Sequence, residues 1–195
     1  KITPIVLPHL EYYSGISKFN KNTINSKYSF YNIFRDKGNS VHAKSQRKLS
    51  TLISTKRILY NKVFKINLES ETHAQFFDTE KKLLENNVYH TGSYFRLFPI
   101  FGVKLEMPFK FIDDKNNFLY TPNISFIASP GISNSNKISN EDSSINDISI
   151  ENLTNLNRYT GTDKIDNSKR LNYGIKVTNN SIRLNLSSYY EFSNN

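Results

Sequence analysis

The chain has 195 residues, enough for one large domain or two small ones; with 37% hydrophobic residues, a mean hydropathy of −0.55 and no apolar run of ~18 residues, it contains no membrane-spanning helix. Cysteine is absent, which excludes disulfides, thiolate nucleophiles and Cys-bound metal within the chain, while 12 Tyr and 14 Phe argue against general disorder. The net charge of +9 admits nucleic acid or anionic lipid as partners, although abundant Lys, Asn and Ile also fit AT-rich coding. The chain begins at Lys1 without a leader and ends just after a strand-like run, so an internal piece of a longer protein is expected.

Along the chain the hydrophobic period is two. Four weaker strands are expected at residues 3–13, 27–35, 48–57 and 62–76; in the first, Val6, Leu10 and Tyr12 share a face, and in the fourth Phe64, Ile66 and Leu68 oppose Lys65 and Asn67. The stretch 78–86 has little apolar face and reads as a loop. Over 94–111 every odd position is apolar, from Phe95 through Phe101 to Phe111, against Arg96, Lys104, Glu106 and Lys110. Pro99 and Pro108 each remove a ladder donor, so a bulge or strand end is expected at each. A turn at Asp113-Asp114-Lys115-Asn116 leads to a strand at 118–128, with Phe118, Tyr120, Ile124 and Phe126 on one face. Leu171, Tyr173, Ile175 and Val177 alternate with Arg170, Asn172, Gly174 and Lys176; an Asn179-Asn180 hairpin then leads to Ile182, Leu184 and Leu186, opposed by Arg183 and Asn185. The expected fold is all-β: an antiparallel up-and-down sheet of about eight strands.

Connections alternate between short (near 58–61, 111–117 and 179–180) and long (36–47, 77–93 and 129–169), with 14–26 too long for its rim unless its strands extend into it. Alternation of this kind marks a membrane β-barrel, with short periplasmic turns and long extracellular loops. The loop at 129–169 is acidic: residues 131–166 carry Glu141, Asp142, Asp147, Glu151, Asp163 and Asp166 against Lys137, Arg158 and Lys164, a balance of −3 that leaves +12 for the rest.

Catalytic and metal motifs are missing. His9, His42, His73 and His90 do not have metal-ligand spacing and read as surface or pore-lining groups. No glycine-rich phosphate cradle, nucleophile elbow or HExxH occurs, and the adjacent Glu141 and Asp142 should diverge. No enzyme, cofactor or resident metal is expected; binding of divalent cations by the acidic loop is a lesser alternative. The aromatics lie opposite the cations, whereas a base-stacking surface needs both on one face, so nucleic acid is not expected as a partner.

The loop carries more specific signatures. Asn140-Glu141-Asp142-Ser143-Ser144, then 148–156 with Glu151-Asn152-Leu153, then Asn157-Arg158-Tyr159-Thr160-Gly161-Thr162-Asp163-Lys164, and finally Lys169-Arg170-Leu171-Asn172-Tyr173-Gly174 occur in that order. Together they resemble the LptD family of lipopolysaccharide-assembly proteins of the outer membrane. Tyr94-Phe95-Arg96-Leu97-Phe98-Pro99, Met107-Pro108-Phe109 and Ile127-Ala128-Ser129-Pro130 resemble further landmarks of the same barrel. Met107 replaces an aromatic, Lys164 an arginine, and Thr154-Asn155 a phenylalanine.

The resemblance implies a transporter and not an enzyme: a partial outer-membrane barrel domain over 1–195, with the family's periplasmic jellyroll and remaining strands absent. Its implied partners are lipopolysaccharide, outer-membrane lipid, an LptE-like plug lipoprotein and, through the missing jellyroll, an LptA-like periplasmic bridge. The motif residues are Asn140, Glu141, Asp142, Ser143, Asn152, Arg158, Gly161, Asp163, Arg170, Tyr173 and Gly174. Apolar side chains should face lipid, and Arg96, Lys104, Glu106, Lys110, Lys176 and Arg183 the lumen, with the acidic loop at the extracellular rim or folded inward. A soluble β-rich module for an anionic polymer, or another porin or receptor barrel, are the alternatives.

Overall fold

The computed structural model describes residues 3–112, 117–144 and 152–192. Among them lie nine strands: β1 (Ile5–Phe19), β2 (Asn22–Phe34), β3 (Ser45–Tyr60), β4 (Lys65–Leu83), β5 (Tyr89–Glu106), β6 (Phe109–Ile112), β7 (Asn117–Ala128), β8 (Lys169–Thr178) and β9 (Arg183–Glu191). They form one antiparallel sheet in the order β1-β2-β3-β4-β5-β7-β8-β9, with β6 beside β7. The sheet is open, as expected of an arc of barrel wall. No helix among the described residues is long and apolar enough to cross a membrane. At ~3.3 Å per residue the 19 residues of β4 reach about 60 Å, well beyond an apolar band of about 25 Å.

The ninth strand comes from one proline. Glu106 lies opposite Asn123 and Phe109 opposite Tyr120, so β5 and β6 meet β7 in one register. Pro108 has no N–H to give, and the Met107 N–H donates to the Pro122 carbonyl at 3.0 Å. Pro99, by contrast, stays within β5. At that level β5 is flanked only by β4, because β7 pairs from Phe101 onward, and an edge tolerates a missing donor.

Three expected links shrink and one, the β8–β9 turn, lengthens. Residues 14–19 and 22–26 are strand, leaving Asn20-Lys21 as a two-residue turn with φ of +46° and +67°, which restores the short connection the alternation requires. Residues 78–83, read as loop, belong to β4, where pairing with β3 and β5 compensates for a weak apolar pattern. The β8–β9 turn has four residues, closed by the Asn179 N–H on the Ile182 carbonyl at 2.9 Å. Lys169 is the first residue of β8, so the long loop is 129–168. The turn expected at 113–116 and the motif stretch 148–151 lie outside the described residues.

Residues directly opposite in a ladder share a face. On one face Phe30, Leu49, Phe76 and Phe95 stand in a row, and the next outer row toward the long-loop rim is Asn32, Arg47, Asp78 and Ser93. Further along are exposed Phe101, Phe126, Tyr173, Leu186 and Tyr190. An apolar band ending in aromatics and then polar groups matches the lipid face of an outer-membrane barrel. The opposite, inner face carries Tyr31, Gln46, Lys48, Gln75 and Arg96, and the described parts of the connection 129–168 lie across it.

Candidate functional site

The inner face at the long-loop end is built around Lys48. Its side chain is buried, and its ammonium sits 5.3 Å from the Tyr31 ring centroid and 5.5 Å from that of Phe77. An isolated charge there would be costly. The loop supplies its partner: Lys48 donates to Asp163 Oδ1 at 2.5 Å, to Thr162 Oγ1 at 2.6 Å and to Asp142 Oδ2 at 3.3 Å. Tyr31 also donates to Asp163 Oδ1 at 2.9 Å, while the Glu141 and Asp142 N–H groups donate to Oδ2 at 2.6 and 3.1 Å.

The two carboxylates around Lys48 are driven apart. Burial alone would raise Asp142, but the Lys48 ammonium and the Asp163 and Thr162 N–H groups hold it down at about 2. Asp163 is more deeply enclosed, and burial, with the Asp142 charge, pushes it above the usual carboxylate range against the pull of Lys48. Asp142 is held by Thr162 N–H at 3.0 Å, Asp163 N–H at 2.8 Å and Ser143 Oγ at 2.8 Å. Gly161 makes this hairpin of loop possible: its φ is +77°, and a Cβ would lie 2.2 Å from the Asp142 carbonyl oxygen.

Further ion pairs fix the flanks. Arg35 holds both carboxylate oxygens of Glu141, one at 2.9 Å. Asp166 accepts from Arg158 Nε at 2.6 Å and Arg170 at 2.6 Å, and Arg158 reaches Glu191 of β9 at 3.3 Å. Burial would raise Asp166, but the two guanidinium groups keep it below its ordinary value. Arg170, wholly enclosed, also donates to Ser168 and the Asn155 carbonyl. Arg96 donates to Gln75, to Asn134 Oδ1 at 3.0 Å and to the Asp163 carbonyl at 2.9 Å. Between these groups Phe98, Ile100 and Ile127 of the wall pack on Leu156 and Ile165 of the loop. Gly102 leaves the space: a Cβ there would lie 2.5 Å from Leu156 Cδ2.

Of the motif residues, the loop brings Glu141, Asp142, Ser143, Gly161 and Asp163 into one knot, and Arg158 with Arg170 into a second. Asn140 closes a local turn, its Oδ1 and Nδ2 both bonded to the Ser143 backbone. Asn152 is buried next to Leu153. Tyr173 and Gly174 stand apart: Tyr173 is on the outer face opposite Ile124, and Gly174 on the inner face opposite Asn123. Register puts Arg96, Lys104, Glu106, Lys110, Lys176 and Arg183 on the inner face. Of these six, Arg96 bonds to the loop; Lys104 pairs with Glu106 at 3.1 Å, and Lys110, Lys176 and Arg183 are exposed. Among the described residues no cluster of three His, Asp or Glu could hold a metal.

Arg35, Gln46, Lys48, Gln75 and Glu191 are the site residues that pattern reading passed over, while Asp166 entered only the loop's charge balance. The signal was present: Gln46, Lys48 and Ser50 alternate with Leu49 and Thr51, and Leu97-Phe98-Pro99-Ile100-Phe101 is apolar on both faces, which requires a cover on the inner one.

With a barrel-like wall and an inward-folded loop carrying these motifs, the decisive comparison is with protein families: the chain matches the family model described as LPS transport system D, LptD, over residues 1–194. The chain belongs to the LptD family. No individual curated protein matches it. LptD proteins act in lipopolysaccharide transport to the outer membrane and are transport proteins of that membrane, in keeping with the all-β sheet, its outer aromatic face and its charged inner face. In this LptD chain the matched span includes both knots and the wall strands that hold them.

Proposed function

We propose that residues 1–195 are part of the wall of an outer-membrane translocon and that the loop 129–168 closes its lumen at the extracellular end while lipopolysaccharide passes to the outer leaflet. The supporting observation is the Lys48–Asp163 pair, which ties the loop to the inner face one residue from the outer aromatic row containing Leu49 and Phe76. Short turns at the opposite rim orient that rim to the periplasm, where a jellyroll outside this chain would receive lipopolysaccharide from an LptA-like bridge. An LptE-like lipoprotein would fill the lumen beyond the loop, against Lys56, Lys104 and Glu106. Lys110, Lys176 and Arg183, nearer the short turns, would meet lipopolysaccharide phosphates on entry. The work is positional and electrostatic, and no bond is made or broken.

The test is permeability and export in cells. Asp163→Ala combined with Arg158→Ala removes both anchors and is expected to admit large antibiotics and detergent and to slow surface display of lipopolysaccharide. Unchanged detergent sensitivity at normal protein levels would refute closure by the loop.

A further inference from the structure

The two knots leave out the first turn of the loop, residues 135–138. In that turn Ile138 N–H donates to the Ser135 carbonyl at 3.3 Å, while the Asn136 and Ile138 carbonyls both accept from Lys82 Nζ, the second at 2.8 Å.

Strand alternation alone would keep Lys82 away from the turn. Gln75, Phe77 and Thr79 face inward, so an even-numbered residue belongs with Asp78 and Glu80 on the outer face. One extra residue in β4 corrects this: Thr79 lies opposite Gly92 and Lys82 opposite His90, with Lys81 at φ +51°, a conformation disfavoured for a residue with a side chain. The backbone groups of that extra residue are both met. Lys81 N–H donates to Thr91 Oγ1 at 3.1 Å, and its carbonyl accepts from Lys44 N–H at 3.3 Å. Gly38 of the β2–β3 connection packs on the same carbonyl, where a Cβ would lie 2.0 Å from the oxygen. A bulge satisfied on both sides is a built feature, and its effect is to turn Lys82 inward.

Lys82 is buried there, and burial with the Lys164 charge holds its ammonium below the ordinary lysine range against the pull of Glu141. Glu141 is itself bound to Arg35, so the direct partners of Lys82 are the two carbonyls. Carbonyls two residues apart on one ammonium fix the direction of a turn as a single bond does not. The chain then runs into Ser139, whose N–H and carbonyl meet Gln46 at 2.8 and 3.0 Å, and on to Glu141 at Arg35.

We infer that Lys82 is a positioning residue for the covering loop: the bulge at Lys81 presents its ammonium to the Asn136 and Ile138 carbonyls, and this fixes the turn that delivers Glu141 to Arg35 and Asp142 to Lys48.

Lys82→Met in the full-length protein in detergent nearly keeps the side chain's length and removes the donor. Amides of 135–141 are expected to exchange on the order of tenfold faster, with a smaller change through 155–168. Lys82→Arg can give N–H groups to both carbonyls and has the adjoining cavity of about 360 Å³ to occupy, so it should restore wild-type exchange. No change in Lys82→Met, or an equal loss in Lys82→Arg, overturns the inference. Equal acceleration through β1 and β2 overturns it too, since Lys82 would then serve general stability. Gly38→Ala leaves the lysine in place but drives the β2–β3 connection off the Lys81 carbonyl. It is expected to free the same turn, and an unchanged turn overturns the role of the bulge. Leakage of large antibiotics in cells with Lys82→Met but not Lys82→Arg is the expected consequence, and it alone rests on the proposed closure of the lumen. Faster exchange without leakage would overturn that closure and leave the positioning role standing.

Discussion

Lys48 and Asp163 meet at 2.5 Å with each side chain 1% exposed, whereas Lys65 and Glu106, on the same inner face toward the short turns, meet at 2.9 Å with side chains 33% and 14% exposed. Lys56–Glu69 at 2.7 Å is more open still. In sequence these are equivalent: a lysine at an inward position of a strand and a carboxylate to match it. What separates them is cover. The loop adds a second layer over one half of the face, excludes water and turns an ordinary ion pair into one whose loss leaves a charge stranded. Within this chain the other half has no such cover, and without the proposed lumen-filling lipoprotein its pairs are open to water and contribute little. An inward lysine therefore anchors only if another segment covers it.

Lys48→Ala should break the covered half most severely. It leaves Asp163 buried without its cation, at a cost of ~3–5 kcal/mol. Limited proteolysis of the protein in detergent is expected to cut within 129–168 while the strands stay intact. A variant as resistant as wild type would mean that the pair does not hold the loop.

Leu156→Ala tests the apolar part of the same cover. It removes the contact over Gly102 and the cluster with Phe98, Ile100, Ile127 and Ile165, and should cost about 2–4 kcal/mol in loop docking. Hydrogen exchange localises the effect: faster exchange is expected through 152–168 and no change at β1–β2, whereas uniform acceleration would indicate global destabilisation.

Much of this was legible in the residues. Period-two alternation in β5, β7, β8 and β9 yields strands and faces directly, and the motif blocks mark the loop. The cover was not legible as such, because a loop's path depends on partners far away in sequence: Asp163 finds Lys48 and Glu141 finds Arg35 across about a hundred residues. Composition hid it as well. Loop acidity reads equally as a solvated rim or as the complement of a basic wall, and only placement separates the two. Tyr173 and Gly174 show the converse, since they sit in a motif yet belong to wall pairing and not to the knot.

Acid should loosen the covered half, and the sign follows from the two aspartates. Asp142 sits at about 2 against an ordinary value of 3.8, so its contribution to docking is complete above about pH 4 and is lost as pH falls toward 2. Asp166, also lowered, acts in the same direction. Asp163 is raised, so its protonation favours the docked form and opposes the loss at mildly acidic pH. Protection of the loop in hydrogen exchange should therefore hold at pH 5 and fail below pH 4; loss already near pH 6 would contradict the assignment.

The smallest effect belongs to the uncovered half. Lys65→Ala removes the pair with Glu106, but Glu106 retains Lys104 at 3.1 Å and access to water, so at most ~1 kcal/mol is expected. Because water screens the pair, raising salt should erase even that difference. The measurement is the midpoint of heat-induced unfolding in detergent at low and high salt, with Lys48→Ala in parallel. If Lys65→Ala lowers the midpoint as much as Lys48→Ala does, and salt leaves that loss unchanged, then the lower half of the face is covered too. The segment covering it would then have to be one outside this sheet and its loop, and the contrast between the halves would reflect which cover each receives.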